Sequence, residues 1–193
     1  MRFSADLISI ANSFRKQFLD SDDTNDKTVV DSDWKSMKRS HGQAVGGPYL
    51  SVHLRRSDFA KWRSKDVPTI DCALKQIELA LKSFVGTDSV FIASDANQKE
   101  WRLLKEELNR KNIRLFRFHS NELSDGQTAV VEQWIAVHGM LFLGTYDSTF
   151  SFRIQEEREI LGFSPNTTFN ALCANCEQPL HLCKQESQWK LVY

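Results

Sequence analysis

The residue types best suited to bind a phosphate lie between Gly46 and Phe59, where an apolar run ends in Arg55 and Arg56. A buried strand that ends in two arginines delivers positive charge to the edge of a sheet, where open α/β folds bind ligands. Each guanidinium can donate two parallel hydrogen bonds to a pair of phosphate oxygens. The segment therefore predicts a phosphate-binding site, with ordinary surface salt bridges as the alternative.

A second phosphate-compatible group follows the fourth predicted strand, where Gly144-Thr145 precedes Asp147 and the hydroxyls of Ser148 and Thr149 open a helix. Backbone N–H groups at a helix start bind anions, although Ser and Thr there also serve as ordinary caps. The chain lacks both the Gly-Lys-Ser/Thr ending of a P-loop and a Gly-x-Gly-x-x-Gly motif, which disfavours common ATPases and dinucleotide enzymes. Two such edges in one domain indicate a nucleotide that carries a diphosphate.

Three carboxylates could act as general bases or ligand contacts: Asp58, Asp95 and Glu132. Glu132 precedes Gln133-Trp134 on an apolar helix, where a carboxylate could accept hydrogen bonds from the N1–H and exocyclic amine of guanine. A solvated helical glutamate is the alternative. No nucleophile–base pair can be assigned among these carboxylates and the five histidines.

The cysteines are Cys72, Cys173, Cys176 and Cys183. The last three, with His181, provide four ligands of the kind that bind zinc, but the single residue between His181 and Cys183 is shorter than the usual spacing. Disulfides or free thiols are the preferred interpretation, and no metal site is predicted. Asn166-Thr167-Thr168 is a candidate acceptor of an N-glycan.

The elements that must position these residues alternate between strand and helix. Apolar runs predict strands at 49–54, 89–93, 113–118 and 140–143, and helical spacing predicts helices at 4–19, 34–39, 70–84, 97–110, 128–138 and 148–161. This order predicts βαβ units and a mainly parallel sheet flanked by helices, with the candidate residues collected where the strands end. The tail from Asn166 is predicted to be irregular.

Composition is that of an ordinary globular protein of 193 residues, with 41% hydrophobic and 26% charged residues. The 25 basic and 25 acidic residues balance, which gives no reason to propose a nucleic-acid or membrane partner. No apolar run reaches a membrane-spanning length, and no N-terminal signal peptide is visible.

Longer motifs resemble the family of GDP-fucose protein O-fucosyltransferase 2 enzymes. They are Gly46-Gly47-Pro48-Tyr49-Leu50, His53-Leu54-Arg55-Arg56, Asp66-Val67-Pro68, Gln133-Trp134-Ile135, Ser148-Thr149-Phe150-Ser151-Phe152-Arg153-Ile154, Glu156-Glu157-Arg158-Glu159-Ile160-Leu161-Gly162 and Trp189-Lys190 with Tyr193. The resemblance covers essentially the whole chain and implies the Rossmann-like C-terminal half of a two-domain GT-B glycosyltransferase. It divides the chain into a helical lead-in and linker (1–47), a GDP-fucose-binding domain (48–165) and a cysteine-bearing tail (166–193).

The resemblance also implies residue roles. The donor-binding positions are His53, Leu54, Arg55, Thr149, Phe150 and Glu132, the last standing where the family has an aspartate that contacts the nucleotide. Arg55 would stabilise the charge that grows on the departing diphosphate. The ends of the predicted strands add Asp95 and Ser148 as further candidates, and the family's C-terminal disulfide maps onto Cys173 and Cys183.

The activity implied is inverting, metal-independent transfer of fucose from GDP-fucose to Ser or Thr of folded thrombospondin type 1 repeats in the endoplasmic reticulum lumen. No cofactor besides the donor is expected. In the family the catalytic glutamate lies in the N-terminal domain, and this chain has no counterpart, so we expect a fragment of a longer enzyme. The alternatives are a truncated, non-catalytic nucleotide-sugar or protein-binding module, and a cytosolic α/β protein with a zinc-binding tail.

Overall fold

The computed structural model describes residues 3–30, 39–83 and 87–176. In chain order the elements are α1 (Ala5–Phe18), β1 (Gly47–Leu54), α2 (Ser57–Trp62), α3 (Ile70–Lys82), β2 (Ser89–Ser94), α4 (Gln98–Arg110), β3 (Arg114–Phe116), α5 (Asp125–Val137), β4 (Gly139–Leu143), α6 (Thr149–Leu161) and α7 (Pro165–Thr168). No helix within these ranges is both long enough and apolar enough to cross a bilayer.

The four strands form one parallel sheet in the order β3-β2-β1-β4. β1 is central: Leu54 pairs with Ser94 of β2, and Val52 pairs with Leu143 of β4. The chain moves outward from β1 to β3 and then crosses to the other side of β1, so the strand order reverses between β1 and β4. Open α/β sheets bind ligands at such a reversal, beyond the carboxyl ends of the strands. The predicted parallel sheet flanked by helices is confirmed.

The sheet is buried on both faces because side chains alternate along each strand. In β1, Leu50, Val52 and Leu54 pack with the apolar faces of α3 and α4. Tyr49 points to the other face, where α1, α5 and α6 supply the apolar side chains. α1 packs against α5 and therefore belongs to the same core as the sheet.

Helix starts follow the capping residues. The Thr69 hydroxyl accepts a hydrogen bond from Cys72 N at 3.2 Å and so caps the start of α3, where the sequence predicts a helix from residue 70. α5 starts at Asp125, earlier than the predicted 128, because Ser124 and Gln127 form a reciprocal capping box there.

Other elements depart from the expectations. The third strand is Arg114–Phe116 rather than 113–118, since its pairing with β2 begins at Arg114 and ends at Phe116. The short helices α2 and α7 were not predicted, and α7 begins at Pro165 and runs into the tail that the sequence predicts to be irregular from Asn166. The helix predicted at 34–39 lies mostly outside the described residues. The division at 47 and 165 stays a prediction.

The segment 171–176, called here the C-terminal segment, docks beside β4 and α3. Ala171 forms an isolated parallel bridge with Gly144. The Gln76 side chain clamps the backbone of Cys173, since its Nε2 donates to Cys173 O at 2.9 Å and its Oε1 accepts from Cys173 N at 2.7 Å.

A disulfide joins Cys72 of α3 to Cys176. The sequence left these two cysteines unassigned, and their bond makes Cys176 unavailable as the zinc ligand that the cysteine cluster offered. Cys183 lies outside the described residues, so the Cys173–Cys183 disulfide stays a prediction.

Candidate functional site

Arg55 is the first residue after β1, and its side chain is 37% exposed. Its Nη2 lies 2.9 Å from Asp58 Oδ1 and its Nη1 lies 3.0 Å from Asp95 Oδ2. Ion pairs this exposed contribute little to stability. The guanidinium can therefore exchange its carboxylate partners for a phosphate at small cost.

Arg56 is held differently, although it is the next residue. Its Nε and Nη2 donate to Glu100 Oε1 at 2.9 and 2.7 Å, and its Nη1 donates to Pro68 O at 2.8 Å. Its backbone N–H donates to Asp95 Oδ1 at 2.6 Å. The two neighbouring arginines therefore have different roles. Arg56 stabilises the start of α4 through Glu100, and Arg55 remains exposed at the carboxyl edge of the sheet.

His53 is the last but one residue of β1, and its ring is almost fully buried. Its Nδ1 lies 2.8 Å from Ser151 Oγ, and its ring stacks on Phe150 with centroids 4.2 Å apart. Burial, with the nearby positive charge of Arg55, lowers the pKa of His53 to about 3. The imidazole is therefore neutral at physiological pH.

Thr145 follows β4 and ties its end to the end of β1. Its hydroxyl donates to His53 O at 2.8 Å and accepts from Arg55 N at 2.9 Å. Its backbone N–H donates to Ser151 Oγ at 2.9 Å. These bonds fix the backbone on both sides of Leu54 and define where Arg55 leaves the sheet.

Ser148 and Thr149 begin α6 at the same edge. Ser148 is the N-cap residue and is buried, but its hydroxyl makes no capping hydrogen bond. Thr149 is exposed. The first-turn N–H groups of α6 thus lack the side-chain cap that the sequence offered as the alternative role for Ser148.

Glu132 lies on α5, half-buried. Burial raises the pKa of its carboxyl to about 8; the positive charge of Arg117 opposes this rise and the negative charge of Asp95 adds to it. A carboxyl with so high a pKa lies in an apolar environment with other charges nearby. Such perturbed pKa values are typical of ligand-binding positions.

Some predicted residues do not converge on the edge. The Leu54 side chain is fully buried in the core between the sheet and α3, so only its backbone could contact a ligand. Asn166 is exposed on α7, and Cys173 is buried in the C-terminal segment. Within the described ranges, no group of three His, Cys, Asp or Glu side chains is arranged to hold a metal ion.

The bonding role of Ser151 was missed from the sequence. It lies 98 residues from His53, so their contact depends on the sheet order. The sequence signal that could have identified Ser151 was its position three residues after Ser148, in the first turn of a helix that follows the end of a strand.

Sequence comparison places residues 1–161 within the family model for GDP-fucose protein O-fucosyltransferase. The chain is 42% identical over 194 residues to GDP-fucose protein O-fucosyltransferase 2 of Caenorhabditis elegans, and 42% identical over 198 residues to that of Homo sapiens. Both alignments cover 100% of this chain and 44% of the relative. The chain therefore spans less than half the length of these relatives.

Structural comparison finds POFUT1 crystal structures. The complex with GDP matches with a TM-score of 0.58 and 20% identity, over 91% of this chain and 49% of POFUT1. The complex with GDP-fucose matches with a TM-score of 0.57 and 20% identity, over 90% of this chain and 47% of POFUT1. At this identity the match concerns the fold, and the predicted Rossmann-like half of a GT-B glycosyltransferase is confirmed. By sequence and by fold, the chain belongs to the GDP-fucose protein O-fucosyltransferase family.

Proposed function

We propose that this chain forms the donor-binding half of a protein O-fucosyltransferase and that GDP-fucose binds at the carboxyl edge between β1 and β4. The observation that carries this proposal is the convergence of His53, Arg55 and Phe150 at the point where the strand order reverses. Membership of the family gives the ligand its chemical identity.

The diphosphate and the guanine of GDP-fucose each have a chemical partner at this edge. Arg55 exchanges Asp58 and Asp95 for the diphosphate oxygens, because a guanidinium donates in pairs to phosphate. The uncapped first turn of α6 and the Thr149 hydroxyl add neutral donors. Glu132, when ionised, accepts from the N1–H and amino group of guanine.

The reaction transfers fucose to a Ser or Thr hydroxyl of a folded thrombospondin type 1 repeat in the endoplasmic reticulum lumen. A glutamate supplied by the N-terminal half removes the hydroxyl proton as the oxygen attacks the anomeric carbon. The bond from that carbon to GDP breaks, and the configuration inverts. Arg55 stabilises the charge on the departing diphosphate, which is the duty that a divalent ion performs in metal-dependent transferases. No cofactor besides the donor substrate takes part.

Titration of the chain with GDP in a calorimeter tests donor binding. Arg55→Ala removes a charge-assisted contact, and we expect about 10- to 100-fold weaker binding. Arg114→Ala is the matched control, since Arg114 is also exposed and paired with one aspartate, Asp88, but lies at the start of β3. Equal affinity of Arg55→Ala and the unchanged chain would contradict the assigned site.

Transfer is tested in a full-length enzyme that carries this half. There Arg55→Ala should abolish transfer of fucose to a thrombospondin repeat, whereas Arg114→Ala should retain it. Tight GDP binding without transfer by the unchanged full-length protein would instead support the non-catalytic binding module.

A further inference from the structure

Three hydrogen-bonding groups meet where β1, β4 and α6 come together. Ser151 Oγ lies 2.8 Å from His53 Nδ1 and 2.9 Å from the backbone N of Thr145. All three residues are buried, with at most 4% of their surface exposed. Water therefore cannot substitute for a missing partner, and the hydrogens must be shared among these groups.

The donors and acceptors around Ser151 determine whether the hydrogen between His53 Nδ1 and Ser151 Oγ belongs to the ring or to the hydroxyl. The Thr145 N–H can only donate, so Ser151 Oγ accepts there. Among the described residues, the remaining partner of this hydroxyl is His53 Nδ1. If Nδ1 carried a proton, the serine O–H would be buried without an acceptor, which costs about 1–3 kcal/mol. If Nδ1 is unprotonated, the serine hydroxyl donates to it, and each of the three groups makes its hydrogen bond.

A bare Nδ1 on a neutral ring places the proton on Nε2. Burial keeps this ring neutral. Among the described residues, the hydrogen bonds of the His53 side chain are limited to the one at Nδ1. Nε2 therefore carries the one N–H of the ring, and His53 lies at the carboxyl edge with 4% of its surface exposed.

Local packing holds the ring and the serine in this arrangement. Phe150 stacks on His53 at an interplanar angle of 21°. Gly144 makes room for the serine, since a Cβ at that position would lie 2.9 Å from Ser151 Oγ and 3.0 Å from Ser151 Cβ.

We propose that Ser151 is a positioning residue that holds His53 as the Nε2–H tautomer and so presents a single neutral N–H donor at the carboxyl edge. The use of that donor toward an oxygen of GDP-fucose rests on the proposed function. The tautomer itself follows from contacts within the chain.

The tautomer is measured by NMR on the chain labelled with ¹⁵N-histidine, with the His53 signals assigned by their loss in His53→Gln. At about pH 8, above the ordinary histidine pKa, we expect a pyridine-type Nδ1 and a pyrrole-type Nε2. Ser151→Ala removes the hydrogen that fixes the ring, and the two nitrogens should then shift toward averaged values. Ser51→Ala is the matched control, because Ser51 is also a buried serine of this region, but its hydroxyl bonds to Ala136 O and Leu141 O and not to His53.

A pyrrole-type Nδ1 in the unchanged chain would overturn the proposal, as would identical His53 shifts in Ser151→Ala. GDP titration adds a functional measurement: Ser151→Ala should bind about three- to tenfold more weakly, and Ser51→Ala should bind as the unchanged chain does. If the unchanged chain binds no GDP while Ser151→Ala still alters the tautomer, the donor site is wrong and the role of Ser151 stands.

Discussion

The amino and carboxyl ends of the sheet each hold a pair of arginines. At the amino end, Arg15 is fully buried and its guanidinium donates to Asn12, Ser21, Asp23 and Asp26 at 2.7–3.0 Å. This cluster lies just ahead of β1, since Asp26 O accepts from Gly46 N at 3.0 Å.

Arg158 completes the amino-end pair and bonds mainly to backbone. It is fully buried, donates to Val137 O at 2.7 Å and to Thr167 O at 2.9 Å, and stacks 3.8 Å from the Phe163 ring centre. The first bond satisfies a carbonyl where α5 turns into β4, and the second satisfies a carbonyl of α7.

At the carboxyl end the guanidiniums are less enclosed, with Arg55 37% and Arg56 13% exposed. The partners of Arg55 are carboxylates with exposed surface of their own, Asp58 at 54% and Asp95 at 26%. An arginine enclosed by the protein is committed to the fold, whereas one paired loosely at an open edge can change partners. Residue type alone does not distinguish these cases; burial and the identity of the partners do.

Arg15→Met is expected to give the largest difference between the two ends of the sheet. It would leave Asp26, which is 2% exposed, as a buried charge without its cation, and we expect a loss of about 3–5 kcal/mol in the free energy of unfolding. Arg55→Met should cost less than about 1 kcal/mol. Denaturant unfolding of both variants measures the difference, and similar losses would show that the two ends are not distinct.

Glu132→Gln tests the carboxyl end of the sheet through the pH dependence of stability. The folded-state pKa of about 8 exceeds the ordinary glutamate value of 4.5, so between these pH values the folded chain holds a proton that the unfolded chain has lost. Stability should therefore fall as pH rises through this window, by an amount on the order of 1–3 kcal/mol. Glu132→Gln should remove that part of the decline in unfolding experiments at several pH values.

In the proposed donor site, the same residue should couple GDP binding to proton release. Guanine offers only donors at its N1 and amino group, so binding requires the ionised carboxylate, and affinity should rise with pH up to about 8. Calorimetry in buffers of different ionisation enthalpy measures the released proton. Release that persists unchanged in Glu132→Gln would exclude Glu132 as its source.

The smallest effect expected is that of Ser148→Ala, which removes a cap residue whose hydroxyl makes no capping bond. Its unfolding free energy should change by less than about 0.5 kcal/mol, whereas Ser124→Ala breaks a complete capping box and should cost about 1 kcal/mol. GDP affinity is expected to fall only for Ser148→Ala, since that hydroxyl lies at the carboxyl edge. Comparable destabilisation of the two variants would assign Ser148 to the fold.

Much of the fold was predictable because its signals are local. The apolar runs that become β1, β2 and β4, and the caps at Thr69 and Asn97, depend on residues that are close in sequence. The ends of β1 and β2 could therefore be located to within one residue, and with them Arg55 and Asp95.

The contacts that distinguish an arginine held by the fold from an arginine that a ligand can bind were not predictable from the sequence. The sequence of residues 20–33 is polar and rich in acidic residues, which is typical of an exposed loop, yet Asp26 is buried against Arg15. Composition cannot reveal this, since enclosure depends on how α1 packs against the sheet. The split between Arg55 and Arg56 likewise follows from Glu100, 44 residues away.

The Cys72–Cys176 disulfide closes a covalent loop that contains more than half of the chain. The bond spans 104 residues, and β2, β3, β4 and the helices α4 to α7 all lie between the joined cysteines. A protease that cuts once in an exposed connection, such as 119–122, opens this loop without separating its parts. On a gel without reductant, the nicked molecule should migrate as one species, and a reductant should release two pieces. After a single backbone cut, β2, β3 and β4 therefore all remain covalently joined to α3.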